Sequence, residues 1–195
     1  DSHRSDMKEV LRLKYKFYEK TIYSLLKKTI GIENGNFFPT AGAAVSDEIC
    51  EFVHSVGINM LVGYGLTEST ATVSCFENEG YEIGSVGTVM PDLEVKIGEN
   101  NEILLRGKTI TKGYYRKPEA TAAAIDKDGW FHTGDAGYLK GNQLYLTERI
   151  KDLFKTSNGK YISPQALETK LAIDRYIDQI AVIADQRKFV SALIV

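Results

Sequence analysis

The feature that most constrains this chain is a short apolar run that ends in a glycine-containing loop. The run Ile58 to Val62 leads directly into Gly63-Tyr64-Gly65-Leu66-Thr67-Glu68. Apolar residues followed by glycines predict a strand that ends in a loop. Glycine has no Cβ, so the backbone of such a loop can approach a ligand closely. We therefore expect a binding loop at the end of a buried strand.

Three side chains of this loop suit the parts of a nucleotide. Tyr64 offers a flat ring on which a base can stack. Thr67 offers a hydroxyl for a phosphate oxygen, and Glu68 is a hard oxygen ligand for a magnesium ion that also holds phosphates. The alternative is a strand-to-helix turn in which Thr67 or Glu68 only caps the helix. The hexapeptide alone leaves both interpretations open.

The segment around this loop predicts a strand, a helix and a second strand. Asn36 to Phe38 begins the first strand, and Ser46 caps a helix that we expect to bury Ile49, Phe52 and Val53. This order implies a parallel sheet, and ligands bind such sheets beyond the carboxyl ends of the strands. A loop of small residues, Gly42-Ala43-Ala44, falls at one of these ends. Tight packing of the backbone is the alternative explanation for it.

The pattern changes to an antiparallel one after Gly84. Alternating residues predict strands at Leu93–Ile97 and Glu102–Gly107 with a turn between them. Pro118 predicts the first turn of a short helix that ends at Ile125. Trp130 to Asp135 is expected to be a loop, in which Asp135 either accepts hydrogen bonds from two ribose hydroxyls or is a turn residue beside Gly134. No second His, Cys or acid is placed to make His132 a metal ligand or a base, so we assign it a structural role.

The last part of the chain alternates short strands with one helix. We predict strands at Gln143–Thr147 and Asp152–Lys155, a turn at Ser157–Lys160, a helix from Pro164 to Ala172 capped by Ser163, and strands at Gln179–Ile183 and Phe189–Val195. The predicted fold class is therefore α/β. It combines a partial parallel-sheet region and an antiparallel β subdomain of a large domain with the start of a small α+β C-terminal domain.

Composition narrows the classes of partner. The net charge of −2 argues against nucleic acid as a partner. The two cysteines, Cys50 and Cys75, form no CxxC motif and indicate a reducing compartment. Residues 4–30 predict a basic amphipathic helix, either a solvated face or a surface in peripheral contact with a membrane. The expected location is the cytoplasm, with the inner membrane face as the alternative, and the sequence does not indicate an oligomeric state.

Taken in order, the motifs resemble the adenylate-forming superfamily, which contains acyl-CoA synthetases, aryl-CoA ligases, luciferases and adenylation domains of peptide synthetases. The motifs that carry the resemblance are the loop Tyr64-Gly65-Leu66-Thr67-Glu68, Trp130-Phe131-His132-Thr133-Gly134-Asp135, Arg149-Ile150-Lys151-Asp152 and Ser157-Asn158-Gly159-Lys160. Many family members have Gly or Asp where this chain has Glu148. The resemblance implies these roles: ATP or AMP binding by Gly42, Ala43, Ala44, Tyr64, Gly65, Leu66, Thr67, Asp135 and Arg149; catalysis by Thr67 and Glu68; magnesium at Glu68; a hinge at Lys151; and a coenzyme A-side loop at Ser157, Asn158, Gly159 and Lys160.

The resemblance is strongest to long-chain fatty acyl-CoA synthetases. It implies a ligase that activates a carboxylic acid with ATP and magnesium and passes the acyl group to coenzyme A. An aryl or short-chain acid ligase, an amino-acid adenylation domain and a non-catalytic nucleotide-binding module are the alternatives. Residues 1–148 would belong to the large domain and 149–195 to the small one. The family's phosphate loop is expected upstream of Asp1 and its catalytic lysine beyond Val195. We therefore expect an interior fragment that is inactive alone.

Overall fold

The first described segment is helical, and several of its apolar side chains face outward. The computed structural model describes residues 9–76 and 82–195. Helix α1 (Glu9–Tyr18) continues through a π-helical turn (Glu19–Tyr23) into helix α2 (Ser24–Thr29). The predicted helix is therefore confirmed for its described part, and residues 4–8 lie outside the described residues. Exposed apolar side chains line it: Val10, Leu13, Phe17, Ile22 and Leu25. In the described ranges no helix combines the length and the hydropathy needed to cross a membrane.

The predicted strand–helix–strand unit follows. Strand β1 (Phe38–Thr40) pairs in parallel with strand β2 (Met60–Val62), and helix α3 (Asp47–Ser55) connects them. Ser46 caps α3, since its Oγ accepts a hydrogen bond of 3.3 Å from the backbone N–H of Ile49. The parallel pair and the cap predicted from the sequence are confirmed.

The buried face of α3 was predicted incorrectly. Ile49 is 49% exposed and Phe52 is 61% exposed, whereas Cys50 is 2% exposed. Val53 is half-buried. Cys50 packs in the core with Val62, so the face of the helix that contains Cys50 is the one that covers the strands. Side-chain hydropathy alone favoured the bulkier residues, but the position of β2 decides which face is covered.

Most of the remaining chain forms one antiparallel sheet of six strands. The strands are β3 (Ser74–Cys75), β4 (Thr88–Val89), β5 (Leu93–Ile97), β6 (Glu102–Gly107), β7 (Phe131–Lys140) and β8 (Gln143–Arg149). Their spatial order in the sheet is β3-β4-β8-β7-β6-β5. The β5–β6 hairpin has the predicted bounds. Helix α4 (Pro118–Ala124) has proline in its first turn, as predicted, and precedes β7.

Strand β7 corrects the expected loop. Phe131 pairs with Leu105 of β6, and Asp135 pairs with Arg149 of β8. Asp135 therefore lies within a central strand of the sheet and not in a loop or a turn. The sequence suggested a loop because Gly134, with a φ of 75°, interrupts the alternation. Pairing with strands on both sides extends the segment regardless of this local signal.

The C-terminal part consists of two small hairpins and a helix. Strand β9 (Phe154–Lys155) pairs with β10 (Tyr161–Ile162), and β11 (Ile180–Ile183) pairs with β12 (Ser191–Ile194). Helix α5 (Pro164–Leu171) starts at the predicted cap, where Ser163 Oγ accepts from the backbone N–H of Ala166. The α/β class is confirmed. The division at residues 148 and 149 stays a prediction.

The core joins the parallel pair to the large sheet. Val62 and Tyr64 belong to the same buried cluster as Val73, Ile103 and Leu144. Backbone hydrogen bonds reinforce this junction, since Tyr64 N donates to the carbonyl of Ser74 and Val73 N donates to the carbonyl of Tyr64. The carboxyl end of β2 is thereby held against the large sheet, and the cavity described next opens there.

Candidate functional site

A cavity of about 600 Å³ opens between the parallel pair and the antiparallel sheet. Its volume is in the range of small-molecule sites. Every residue assigned to ATP or AMP binding from the sequence lines it: Gly42, Ala43, Ala44, Tyr64, Gly65, Leu66, Thr67, Asp135 and Arg149, together with Glu68. Lys151 and the Ser157–Lys160 turn do not line it. Residues separated by more than 100 positions thus meet at one cavity.

The loop after β2 has a fixed shape. Thr67–Ser69 forms one 3-10 turn, and Ser69 Oγ both accepts from the backbone N–H of Leu66 (3.0 Å) and donates to its carbonyl (2.9 Å). A Cβ on Gly65 would overlap the carbonyl oxygen of Ala71. Ser69 therefore caps the turn, and neither Thr67 nor Glu68 does so. The side chains of Thr67 and Glu68 remain available to the cavity.

Tyr64 is buried and bonded through its hydroxyl. It donates a hydrogen bond of 2.6 Å to Asp135 Oδ2. Burial, followed by the bond to Asp135, raises the pKa of Tyr64 well above its ordinary value. The phenol consequently stays protonated and keeps donating at neutral pH. The sequence analysis considered only the ring of Tyr64 and missed this role of its hydroxyl.

Asp135 is held on three sides. Its backbone N–H donates to Thr133 Oγ1 (3.0 Å), while Thr133 Oγ1 donates to the carbonyl of Ile103 (2.7 Å). Arg149 Nε lies 3.5 Å from Asp135 Oδ1, and Tyr64 binds the other oxygen. Residue Asp135 as a whole is 9% exposed. A buried carboxylate of fixed orientation can accept further hydrogen bonds from a ligand.

Glu68 has a partner that the sequence analysis missed. Its Oε1 accepts a hydrogen bond of 2.8 Å from the hydroxyl of Tyr114. This hydrogen bond is the main reason that the pKa of Tyr114 is raised. The two residues lie 46 positions apart, so no local sequence pattern could have linked them.

The charged lining of the cavity is mostly acidic. Four carboxylate residues, Asp47, Glu68, Asp135 and Glu148, face one guanidinium, that of Arg149. Of these, Asp47 and Glu148 had no assigned role, and the sequence analysis also missed Gly84, Ser85, Val86, Leu146, Thr147 and Gln165. Such a lining suits hydroxyl donors and a cation. Phosphate groups would enter it most readily with a divalent cation.

One carboxylate is enough for a magnesium ion that also binds phosphates. In the described parts of the chain, no cluster of three or more His, Cys, Asp or Glu residues could hold a metal ion. Mg²⁺ typically keeps several waters and takes one or two carboxylates plus phosphate oxygens. Glu68, at the cavity and half-buried, fits this requirement.

The surroundings of His132 differ from the expectation. Its Nδ1 lies 2.8 Å from Glu102 Oε2, and its Nε2 lies 3.9 Å from Asp126 Oδ2. Two acids that the sequence analysis did not place beside His132 therefore lie near it, although among the described residues they belong to no group that could hold a metal ion. Glu102 Oε1 also accepts from the backbone N–H of Gly134 (2.9 Å), so these residues fix the bend before Asp135. His132 is not part of the cavity lining.

The proposed hinge and the coenzyme A-side loop lie outside the cavity. Lys151 is in the 3-10 turn Ile150–Asp152. Its side chain lies so close to Gly134 that a Cβ on Gly134 would overlap the Lys151 side chain. The turn at Ser157–Lys160 is exposed, and its shape includes a φ of 80° at Gly159. Both functional roles stay predictions.

Comparison with known proteins identifies a family. A family model described as AMP-binding enzyme matches residues 5–115. Long-chain-fatty-acid–CoA ligase FadD15 of Mycobacterium bovis is 32% identical over 186 residues, and long-chain-fatty-acid–CoA ligase 4 of Saccharomyces cerevisiae is 35% identical over 179 residues. These alignments cover 95% and 86% of this chain but 31% and 26% of the relatives, so the chain spans less than a third of either.

A solved structure shares the fold. O-succinylbenzoate coenzyme A synthetase (MenE) of Bacillus subtilis, in complex with ATP and magnesium ion, superposes with a TM-score of 0.70 at 26% identity. The similarity covers 81% of this chain and 36% of the MenE chain. MenE, a coenzyme A synthetase, therefore has the same mixed α/β architecture.

Proposed function

Because this chain belongs to the AMP-binding enzyme family, we propose that the whole protein is a long-chain fatty acyl-CoA synthetase. The whole protein here means the chain with any sequence that flanks it in its gene. In the proposed reaction, a fatty acid and ATP give an acyl-adenylate and pyrophosphate. Coenzyme A then displaces AMP and leaves as the acyl thioester.

The observation that carries this proposal is the convergence of three loop and strand segments on one cavity. Gly42-Ala43-Ala44 and Tyr64 would hold adenine between them, with the ring of Tyr64 as the stacking surface. Gly65 and Leu66 would lie along the nucleotide through their backbone. Asp135 faces the same cavity from β7, where ribose would follow the base.

Asp135 would bind the ribose. A carboxylate can accept hydrogen bonds from two vicinal hydroxyls, and both oxygens of Asp135 already have defined positions. Tyr64 fixes Oδ2 at 2.6 Å, and Arg149 lies 3.5 Å from Oδ1. Arg149 is half-exposed and has further donors for the ribose or a phosphate. The pair would orient the nucleotide before the chemical step.

Thr67 and Glu68 would act at the phosphates. The hydroxyl of Thr67 would donate to the α-phosphate, and Glu68 would hold the magnesium ion. When bound, magnesium neutralises charge on the phosphates and on departing pyrophosphate. The carboxylate oxygen of the acid attacks the α-phosphorus in line, and the bond to pyrophosphate breaks. The residues accelerate this displacement by positioning and by charge neutralisation.

The second half-reaction would require a change in domain position. Residues 149–195 would form the beginning of the small domain and residues 1–148 part of the large one. Two half-reactions at one site need two faces of the small domain, and Lys151 would absorb the rotation. The turn Ser157-Asn158-Gly159-Lys160 would then flank the path of the coenzyme A thiol.

Two substrate classes have support from relatives. The curated relatives named as long-chain ligases favour a fatty acid. The similarity to a synthetase of an aryl acid keeps that class as the second candidate. A cytoplasmic location and peripheral contact of α1 and α2 with an anionic membrane face are further proposals. Co-sedimentation of the whole protein with anionic vesicles tests the membrane contact.

Exchange of labelled pyrophosphate into ATP tests the function. The whole protein is assayed with palmitate, benzoate and a mixture of amino acids in separate reactions, and thioester is then measured with coenzyme A. We expect exchange and thioester with palmitate. Exchange with benzoate alone would shift the proposal to an aryl acid, and exchange with amino acids alone would contradict acyl-CoA synthesis. Absence of exchange with every acid would contradict the enzymatic proposal.

A further inference from the structure

The segment after β6 clasps the loop that carries Glu68. The backbone N–H of Thr111 donates to the carbonyl of Glu68 (2.7 Å), and Thr70 Oγ1 donates to the carbonyl of Thr109 (2.7 Å). Tyr114 adds the hydrogen bond of 2.8 Å from its hydroxyl to Glu68 Oε1. The first contact holds the backbone of the loop, the second holds the side chain of Thr70, and the third holds only the carboxylate of Glu68.

Tyr114 is itself anchored to the following helix. Its backbone N–H donates a hydrogen bond to Thr121 Oγ1 of α4 (2.9 Å). Thr121 Oγ1 in turn donates to the carbonyl of Lys117 (2.9 Å). Helix α4 thus fixes the backbone from which the phenol reaches Glu68.

We propose that Tyr114 is a positioning residue for magnesium binding, because its hydroxyl holds Oε1 of Glu68 and leaves Oε2 for the cation. This inference rests on the proposed function of Glu68. Within the described residues, Oε1 has Tyr114 as its partner and Oε2 has no hydrogen bond. Ligating carboxylates are commonly oriented by a second hydrogen bond of this kind.

A purely structural role would require Tyr114 to contribute mainly to packing. Tyr114 is 37% exposed and does not itself line the cavity, but its hydroxyl reaches Glu68, which does. Loss of one such hydrogen bond changes the stability of a protein little. The contacts of Thr111 with the carbonyl of Glu68 and of Thr70 with the carbonyl of Thr109 remain to hold the loop when the hydroxyl is removed. The effect of Tyr114→Phe should therefore appear in metal binding and not in the melting temperature.

The test compares Tyr114→Phe with Tyr115→Phe in the whole protein. Tyr115 is the neighbouring residue, is 82% exposed and does not line the cavity. Mn²⁺ serves as the paramagnetic probe, and its binding is followed by electron paramagnetic resonance with a non-hydrolysable ATP analogue. We expect Tyr114→Phe to weaken Mn²⁺ binding about tenfold and to raise the half-saturating magnesium concentration of pyrophosphate exchange similarly. Tyr115→Phe should match the wild type.

A double-mutant cycle shows whether Tyr114 acts through Glu68. In the background of Glu68→Gln, Tyr114→Phe should cause no further loss of Mn²⁺ binding. Equal losses of Mn²⁺ binding in both backgrounds would overturn the inference, and so would wild-type Mn²⁺ binding by Tyr114→Phe. In either case, pyrophosphate exchange by the wild-type protein would leave the proposed function intact. A wild-type protein that neither exchanges pyrophosphate nor binds Mn²⁺ with the analogue would overturn both.

Discussion

The hydroxyl of Tyr64 donates to Asp135 Oδ2 at 2.6 Å, although the two residues lie 71 positions apart. Tyr64 follows the parallel pair, and Asp135 belongs to the antiparallel sheet. The contact therefore connects the two sheets at the cavity. It also makes the position of one proposed nucleotide contact depend on the other.

Replacement of Tyr64 by Phe tests this dependence. The variant keeps the ring but leaves the buried carboxylate of Asp135 without one donor. We expect the free energy of unfolding to fall by about 1 to 3 kcal/mol and AMP affinity to fall about tenfold. Urea denaturation and calorimetry measure the two effects. Tyr138→Phe, on a half-exposed tyrosine away from the cavity, is the matched control. Unchanged AMP affinity would mean that only the ring of Tyr64 matters.

Replacement of Glu68 by Gln tests the magnesium assignment. The variant keeps the shape of the side chain and removes its charge. We expect adenylation to slow by about 10²-fold or more, because one preorganised charge is lost. The melting temperature should change little. Single-turnover formation of acyl-adenylate gives the rate. A normal rate combined with a lower melting temperature would instead identify Glu68 as a structural residue.

Replacement of Gly65 by Ala tests the close packing of the loop. The added Cβ would overlap the carbonyl of Ala71, which is backbone and cannot rotate away. We expect a loss of about 1 to 3 kcal/mol in unfolding free energy and weaker ATP binding. Gly141→Ala is the control for ATP binding, since Gly141 does not line the cavity; its φ of 63° strains an added side chain, so this variant also loses stability but should keep ATP binding. ATP binding that falls equally in both variants would argue against a specific role for the loop.

The turn around Asp126 predicts a loss of stability in acid. Asp126 Oδ1 accepts from the backbone N–H groups of Trp130 (2.8 Å) and Asp128 (2.9 Å). The bond from Trp130 is the main reason that the pKa of Asp126 lies below its ordinary value of 3.8. The charged form is favoured in the folded state, so its contribution is complete above 3.8 and is lost as pH falls through the folded pKa.

Asp126→Asn removes this titration while the amide oxygen can still accept. We expect the variant to be less stable than the wild type at about pH 7 and to approach it at about pH 3. Urea midpoints at the two pH values measure this difference. Asp128→Asn controls for the loss of a nearby surface charge. A difference that is the same at both pH values would rule out the proposed contribution of Asp126.

Replacement of Lys151 by Pro tests the hinge. Proline fixes φ near −65° and removes the amide proton, so one domain arrangement should be trapped. We expect one half-reaction to collapse while the other persists. Acyl-adenylate formation and conversion of supplied acyl-adenylate to thioester are measured separately. Full retention of both would move the hinge elsewhere, with Glu148 as the next candidate, and equal loss of both in a folded protein would not support it.

The sequence predicted local structure well where the signal was local. Alternation gave the bounds of β5 and β6, Pro118 marked the start of α4, and Ser46 and Ser163 marked two helix starts. Each signal depends on neighbouring residues and on the geometry of one element. Tertiary contacts then changed little in these segments.

The errors came where distant pairing decides. Asp135 lies in a strand because β6 and β8 flank it, although Gly134 suggested a loop. The acids beside His132 come from positions 102 and 126, and Tyr114 reaches Glu68 from another segment. The motifs identified ten residues of the cavity lining but missed others, such as Asp47 and Gln165. They could not supply the hydrogen bonds among them.

The strand order of the large sheet also determines when its strands can pair during translation. Thr88 of β4 pairs with Gln143 of β8, which lies 143 − 88 = 55 residues later. At a ribosomal rate of about 5 to 20 residues per second, that partner emerges roughly 3 to 11 s afterwards. The β1–β2 and β3–β4 pairs can form earlier, whereas the second edge of β4 stays unpaired until β8 has been translated.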